Sequence, residues 1–230
     1  MPHAVSFARE IGRRDILIVA ATKSEIFRVL KNVEVCITGI GVHFARRKLR
    51  EVLETRPSPS LILSTGVSGA LTGDLLAGKI IMATKVLFGD AEYETARVHL
   101  SQVPYLEGPV YCSSKVVGSR IARTEIFKQT GALCVDMESG AIAEIGKKYG
   151  IPVAVIRVIM DGVDDRLPEF ESPEDDVEMV EIMSRISLGM KIKFARKAIV
   201  AVLKLNKALL TLLDKPTRIE VREPDKRPDR

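Results

Sequence analysis

The chain has 230 residues, 46% of them apolar and 28% charged, with a formal net charge of +5 and three cysteines. That length supports a sizeable core, as one large α/β domain or two small ones, in a soluble globular protein. The basic excess is local, which removes the case for a nucleic-acid partner: from Ser184 to Leu213 there are seven Lys or Arg and no acid until Asp214.

No uncharged run reaches the roughly 18 residues that a membrane span needs. Met1 to Asp15 carries early charges and no apolar stretch, so no signal peptide is expected. Cys36, Cys112 and Cys134 are widely spaced, in apolar contexts, without histidines at ligand spacing. They read as reduced core cysteines of a cytoplasmic protein, with no metal site.

In chain order, Asp15–Ala21 is a short apolar run, the mark of a strand buried on both faces. Thr22-Lys-Ser-Glu25 matches a capping box and predicts a helix to about Leu30. Val33–Thr38 predicts a second strand, ended by Gly39-Ile-Gly41, and His43–Thr55 a helix rich in Arg and Lys. After Pro57-Ser-Pro59, Leu61–Thr65 predicts another buried strand, with a small-residue turn from Gly66 to Leu71. Lys79–Leu87 is a further strand, and Pro109–Ser113 precedes a helix over Arg123–Gln129. Gly140–Tyr149 then predicts a helix and Ile151–Ile156 a strand that runs on to Arg157 and Asp161. Strand and helix alternate, so the fold class is α/β with a mixed, largely parallel central sheet.

Two acids stand at element boundaries: Glu138, just before a helix, and Asp161, at the C-terminal end of a strand. Carboxylates so placed converge on one crevice in open α/β sheets, and the crevice suits a small polar substrate.

Four pieces, in order, resemble the nucleoside phosphorylase and nucleosidase superfamily that includes the methylthioadenosine/S-adenosylhomocysteine nucleosidases. They are Val19–Glu25, Thr38–Gly41, Ser64–Leu71, and Val135–Glu138 paired with Arg157–Asp161. The resemblance covers most of Asp15 to Pro168 and implies a three-layer αβα catalytic domain over residues 1–187 that needs neither metal nor organic cofactor. It also implies cleavage of the N-glycosidic bond of an adenosine-type nucleoside, through an oxocarbenium-like state comparable to that of glycoside hydrolysis. On this reading Glu138 accepts hydrogen bonds from the ribose hydroxyls and Met137 packs against the sugar. Asp161 protonates the leaving base, and Glu25 positions and deprotonates the attacking water. The Gly66 and Val67 backbone lines the place of the water or of an anion. Each acid also has a bland reading: Glu25 as a capping-box residue, Asp161 as a loop cap and Glu138 as the partner of a surface lysine. A homodimer or higher homo-oligomer is expected.

The departures are informative. The phosphorylases carry an Arg shortly before the glycine segment, whereas this chain has Leu63-Ser64-Thr65. Phosphate thereby loses a bidentate partner, and hydrolysis is favoured over phosphorolysis. Arg46 and Arg47 are the other candidate anion contacts, with a solvated helix face as their bland reading. Met160 stands where Ser often precedes the acid, and Phe88-Gly-Asp90-Ala replaces a stretch richer in Tyr and His. The first points to a different recognition of the base, the second to a pocket for the 5′ substituent unlike that of the methylthioadenosine enzymes.

Residues 188–230 form a basic extension. Leu188, Ile192, Ala195, Ile199, Val202 or Leu203, and Leu209 fall at helical spacing among lysines and arginines. Such a helix reads either as a peripheral element at the inner membrane face or as one that packs on the core or a partner subunit. Arg222–Arg230 reads as disordered. A membrane-touching nucleosidase would suit a lipid-linked nucleoside, and the branch of the superfamily that removes adenine from adenosylhopane is similar at Val135–Ser139 and at Asp165–Pro168. Futalosine hydrolysis, phosphorolysis and a non-catalytic nucleoside-binding module are the other readings.

Overall fold

The computed structural model describes residues 5–29, 33–167 and 188–222. In chain order the strands and helices are β1 (Val5–Ile11), β2 (Ile16–Ala20), β3 (Glu34–Ile37), α1 (Val42–Thr55), β4 (Leu61–Ala70), β5 (Ile80–Phe88), β6 (Ala91–Glu94), β7 (Arg97–Val98) and β8 (Leu106–Cys112). They continue with α2 (Arg120–Thr130), β9 (Cys134–Asp136), α3 (Ser139–Tyr149), β10 (Val153–Asp161), α4 (Leu188–Leu213) and β11 (Thr217–Arg222).

Eight strands form the central sheet, in the path β3-β2-β4-β9-β8-β5-β10, with β6 on the edge of β5. β10 also pairs with β4, so β4, β9, β8, β5 and β10 close on themselves. The sheet is mixed: β2–β3, β2–β4, β4–β10, β5–β8 and β8–β9 are parallel, while β4–β9 and β5–β10 are antiparallel. Every residue of β2 is buried, as is all of β10 except Met160. That continuous apolar character is what a strand covered on both faces requires.

Layers cover the sheet on each side. α1 and α3 bury Leu49, Leu53, Ile142 and Ile145 in one core, together with Leu17, Val19, Ile62 and Val155. On the other face α4 contributes Ala201, Leu205, Leu209 and Leu212 to a core with Ile16, Ile18, Leu63 and Ile156. Each such leucine contributes roughly 1.5–3 kcal/mol on leaving water. α2 covers a smaller cluster of Leu71, Leu87, Val117, Ala132 and Val135. α2 and α3 both end at a left-handed glycine, Gly131 and Gly150, whose backbone N–H closes the last turn.

Three local expectations need correction. The capping box at Thr22 is formed, but it opens one 3-10 turn, Lys23–Ile26, rather than a longer helix, and Leu30 lies outside the described residues. Glu25 is drawn toward Gly66, and a regular α-helical turn does not follow. Gly66 to Ala70 is no turn: it continues β4, because its carbonyls and amides pair with β10 and β9. The N-terminus forms β1, which pairs antiparallel with β11, itself paired to β7. Arg222 ends that strand, and residues 223–230, read as disordered, lie outside the described residues.

Of the stripe expected for α4, Leu209 packs on the sheet while three other members do not. Ala195, Ile199 and Leu203 are exposed, while the buried line is Ala201, Leu205, Ala208, Leu209 and Leu212. The helix is apolar on two sides.

Candidate active site

The register of β4 on β10 determines what meets at the sheet's C-terminal edge. Parallel pairing sets Gly66 beside Arg157 and Gly69 beside Asp161. The turn after β2 brings Glu25 onto β4 from one side, and the β9–α3 junction brings Asp136 and Glu138 from the other. The result is a cavity of about 520 Å³ lined by Glu25, Val67, Met137, Glu138 and Asp161, among others. The structure therefore gathers the expected Glu25, Met137, Glu138, Asp161 and Val67 around one space. Gly66 lies behind it, against the Glu25 carboxylate, and does not line the cavity.

Glu25 is 7% exposed. Its Oε2 accepts the Thr22 N–H at 2.9 Å and its Oε1 the Val67 N–H at 3.2 Å. A Cβ on residue 66 would stand 2.9 Å from Oε1, so a side chain there would expel the carboxylate. The carboxylate thus makes the capping-box contact with one oxygen and meets the β4 backbone beside the cavity with the other. Burial pushes its carboxyl up from the usual range, against the Thr22 and Val67 N–H groups and the Arg157 charge.

Glu138 lies two residues past β9 and immediately precedes α3, and its Oε1 accepts the Gly41 N–H at 2.7 Å. Gly41 holds φ at 104°, which turns its amide into the site. Burial, reinforced by the neighbouring Asp136 carboxylate, pushes the Glu138 carboxyl up to about 8. Asp161 is 2% exposed, and burial pushes its carboxyl up against the opposing charge of Arg123, which lies 2.5 Å away.

Beneath these acids lies a polar foundation. The Arg157 Nε meets Asp136 Oδ2 at 2.5 Å, and its Nη2 donates to Ser64 Oγ at 2.8 Å. Asp136 Oδ1 accepts from the Glu138 and Ser139 N–H groups and from Ser139 Oγ, which fixes the start of α3. A buried ion pair is tolerable only when its remaining valences are filled in this way. α4 contributes Asn206, fully buried, whose Nδ2 donates to the Glu25 and Val202 carbonyls and whose Oδ1 accepts the Arg28 N–H.

Sequence reading assigned no role to Asp136, Arg157, Arg123 or Asn206. Asp136 and Arg157 stood inside the quoted motifs, and an Arg within an otherwise apolar strand was the available signal. Asn206 lies between Leu205 and Lys207 in α4, where nothing local set it apart. Arg123 carried no signal, since a basic residue in a helix ordinarily faces solvent. Neither alternative anion contact lines the cavity: Arg46 pairs with Glu144 at 2.6 Å, and Arg47 lies over the Phe44 ring at 5.1 Å. Cys36, Cys112 and Cys134 are buried free thiols, and burial pushes all three up. Among the described residues no cluster of His, Cys, Asp and Glu is arranged to hold a metal.

A family model described as the phosphorylase superfamily matches residues 90–189. A 5′-methylthioadenosine/S-adenosylhomocysteine nucleosidase of Oceanobacillus iheyensis is 28% identical over 158 residues, covering 57% of this chain and 69% of the relative. One from Staphylococcus aureus is 25% identical over 161 residues, covering 58% and 71%. In fold, the S-adenosylhomocysteine nucleosidase of Streptococcus pyogenes, solved with 5-methylthiotubericidin, superposes with a TM-score of 0.69 at 17% identity, over 90% of this chain and 99% of that one. A futalosine hydrolase of Helicobacter pylori gives 0.67 at 18% identity, over 88% and 98%. In sequence the chain is thus similar to the phosphorylase superfamily, and its fold is that of the superfamily's nucleosidases.

Proposed function

We propose that the chain is a nucleosidase that hydrolyses the N-glycosidic bond of a 5′-substituted, adenosine-type nucleoside. The observation that carries this is the arrival of Glu25, Glu138 and Asp161, from three separate segments, at one cavity. The nucleosidase relatives supply the reaction class. Glu138 accepts the ribose hydroxyls, Met137 packs against the sugar, and Glu25 takes a proton from the attacking water. As oxygen bonds to C1′, the bond from C1′ to N9 breaks and Asp161 gives a proton to N7. The raised proton affinity of buried Asp161 suits a group that must hold a proton until the base leaves.

Glu25 also argues for water over phosphate. Its carboxylate occupies the Gly66–Val67 backbone and consumes the Val67 N–H, so an incoming phosphate would meet buried negative charge in place of a free donor. Ser64 and Thr65 supply no guanidinium there.

For the 5′ substituent we favour an apolar group. A groove of about 390 Å³, lined by Ser24, Phe27, Ala198, Ile199, Val202 and Leu203, shares Ser24, Ala198 and Val202 with the catalytic cavity. A long apolar chain leaving the ribose would find there a continuous wall, as an adenosylhopane-type substrate requires. Phe27, Ile199, Val200, Leu203 and Leu210 are exposed beside Lys204 and Lys207, so the same face would meet a lipid surface or a second subunit.

The test is adenine release from a panel of 5′-substituted adenosines, with and without phosphate, beside Glu138→Ala. Release without phosphate, lost in the variant, supports the reading, and faster turnover of long apolar 5′ groups supports the groove. No adenine from any member of the panel would defeat it. Sedimentation with anionic vesicles, wild type against Ile199→Asp, distinguishes lipid contact from subunit contact. Light scattering of the same pair reports the oligomer.

A further inference from the structure

We propose that Arg123 is a positioning residue for Asp161: its guanidinium engages Oδ2 and so reserves Oδ1 as the oxygen that carries a proton to the leaving base. The proposal rests on the hydrolytic reading of the site.

Arg123 is 1% exposed, an unusual position for a residue in the first turns of a helix. Three of its donors are committed. Nε donates to the Val117 carbonyl at 2.9 Å, Nη1 donates to the Gly162 carbonyl at 2.7 Å, and Nη2 lies 2.5 Å from Asp161 Oδ2. A buried guanidinium persists only when satisfied in this manner, and the three contacts fix its plane. It therefore ties the segment before α2 to the end of β10, and both line the cavity.

Space for the pair is made on β4. A Cβ on residue 69 would lie 2.9 Å from Asp161 Oδ2 and 3.2 Å from Arg123 Nη2. Any larger residue opposite Asp161 would have to displace the pair, independently of its own conformation. The peptide that follows Asp161 is held at both ends: Gly162 N–H donates to Asp165 Oδ2 at 2.9 Å, and its carbonyl accepts from Arg123. Lys197 of α4 pairs with Asp165. The charged groups that act on Asp161 are thus Arg123 from α2, Asp165 from the loop after β10, and Lys197 from α4.

A neutral carboxyl has one protonated oxygen. With the Nη2 cation 2.5 Å from Oδ2, a proton on that oxygen would point at positive charge, so Oδ1 carries it. When C1′–N9 breaks, its electron pair passes into the base, N7 takes the Oδ1 proton, and Asp161 becomes a carboxylate beside Arg123. The pairing strengthens as that charge appears, and it is already in place before the step. Water supplies hydroxide to C1′ and a proton to Glu25. Exchange of that proton to solvent, and of one from solvent to Asp161, restores both groups.

The experiment compares wild type, Arg123→Lys and Arg123→Met on 5′-methylthioadenosine and on its N7-methylated cation, whose base departs without protonation. Arg123→Met should lose at least about tenfold in kcat on the first substrate, the scale of a compromised general acid, with KM little changed. It should keep its rate on the second, and Arg123→Lys should recover part of the loss. The alkaline limb of kcat/KM should move to higher pH in Arg123→Met, because a cation that favours the carboxylate is gone. Equal losses on both substrates would mean a structural role and overturn the proposal, as would no loss on either. Gly69→Ala, which displaces the pair from the β4 side, should reproduce the selective loss, and does so without removing the buried guanidinium. Carbon NMR titration of Asp161 without substrate gives an independent reading: an unchanged midpoint in Arg123→Met also overturns it. Wild type cleaving neither substrate nor any member of the 5′-substituted panel would refute the hydrolytic reading instead, with the titration still deciding whether Arg123 governs Asp161.

Discussion

The two faces of the central sheet are built to different purposes. On one, α1 and α3 pack closely: a Cβ on Gly146 would lie 2.1 Å from a Val153 methyl, and one on Gly140 would lie 2.4 Å from the Phe88 ring. That face is a sealed core. On the other, α4 buries Leu205, Leu209 and Leu212, yet the same helix sends Asn206 to the Glu25 turn and Lys197 to the loop behind Asp161. It also leaves Ile199 and Leu203 in solvent beside the cavity. A helix whose composition reads as an appendage is therefore part of the site's frame, whereas α1 and α3 meet the site only at their N-terminal ends, through Gly41, Glu138 and Ser139, and otherwise pack.

The largest effect should come from the site itself. Glu25→Gln keeps the shape and the Val67 contact while removing the base, so activity should fall by on the order of 10²–10⁴. The fold should survive, since a neutral amide replaces a buried carboxylate. Thermal unfolding beside steady-state rates checks both parts.

The next pair of variants sets the faces against each other. Asn206→Ala leaves the Arg28 N–H and the Glu25 carbonyl without their partner and should cost about 1–3 kcal/mol, together with a loss of turnover. Gly146→Ala overpacks the other face and should cost about 1–3 kcal/mol. Its turnover per folded molecule should stay at the wild-type level. Denaturant melts with rates normalised to folded protein decide the contrast, and a turnover loss in Gly146→Ala alone would reverse it.

A smaller effect concerns pH. A carboxyl with a raised folded-state value, as for Glu138 at about 8 against 4.5, favours the folded state fully below 4.5. That contribution is lost as pH rises through about 8. Glu138→Gln should therefore gain stability relative to wild type as pH increases across that window, with the gain absent in acid. Melting temperatures from acid to mildly alkaline pH measure it.

The smallest effect belongs to the surface. Lys48 and Glu51 pair at 2.9 Å on the exposed side of α1, and Lys48→Ala should change stability by less than about 1 kcal/mol.

What the sequence made legible follows the physics of each element. Strands buried on both faces announce themselves as apolar runs, so β2, β5 and β10 were readable to within a residue or two. The segment from Gly66 to Ala70 was not: its small residues look like a turn, but a side chain at Gly66 would meet Glu25 and one at Gly69 the Arg123–Asp161 pair. β1 and β11 were hidden for a related reason. Apolar and polar residues mix in each, and each is stabilised by pairing with the other end of the chain, a contact no local window contains. The three acids were found because element boundaries and a family resemblance marked them. Arg157 and Asn206 were missed because their meaning lies in what they touch, the Asp136–Ser64 pair and the Glu25 turn.

The most direct test of the account is the rate of adenine release in phosphate-free buffer by wild type and by Glu25→Gln, with a 5′-substituted adenosine. The account predicts release by wild type that phosphate does not accelerate, accompanied by free sugar, and its near loss in the variant. Release that requires phosphate and yields a sugar phosphate, or a Glu25→Gln protein as fast as wild type, would contradict it.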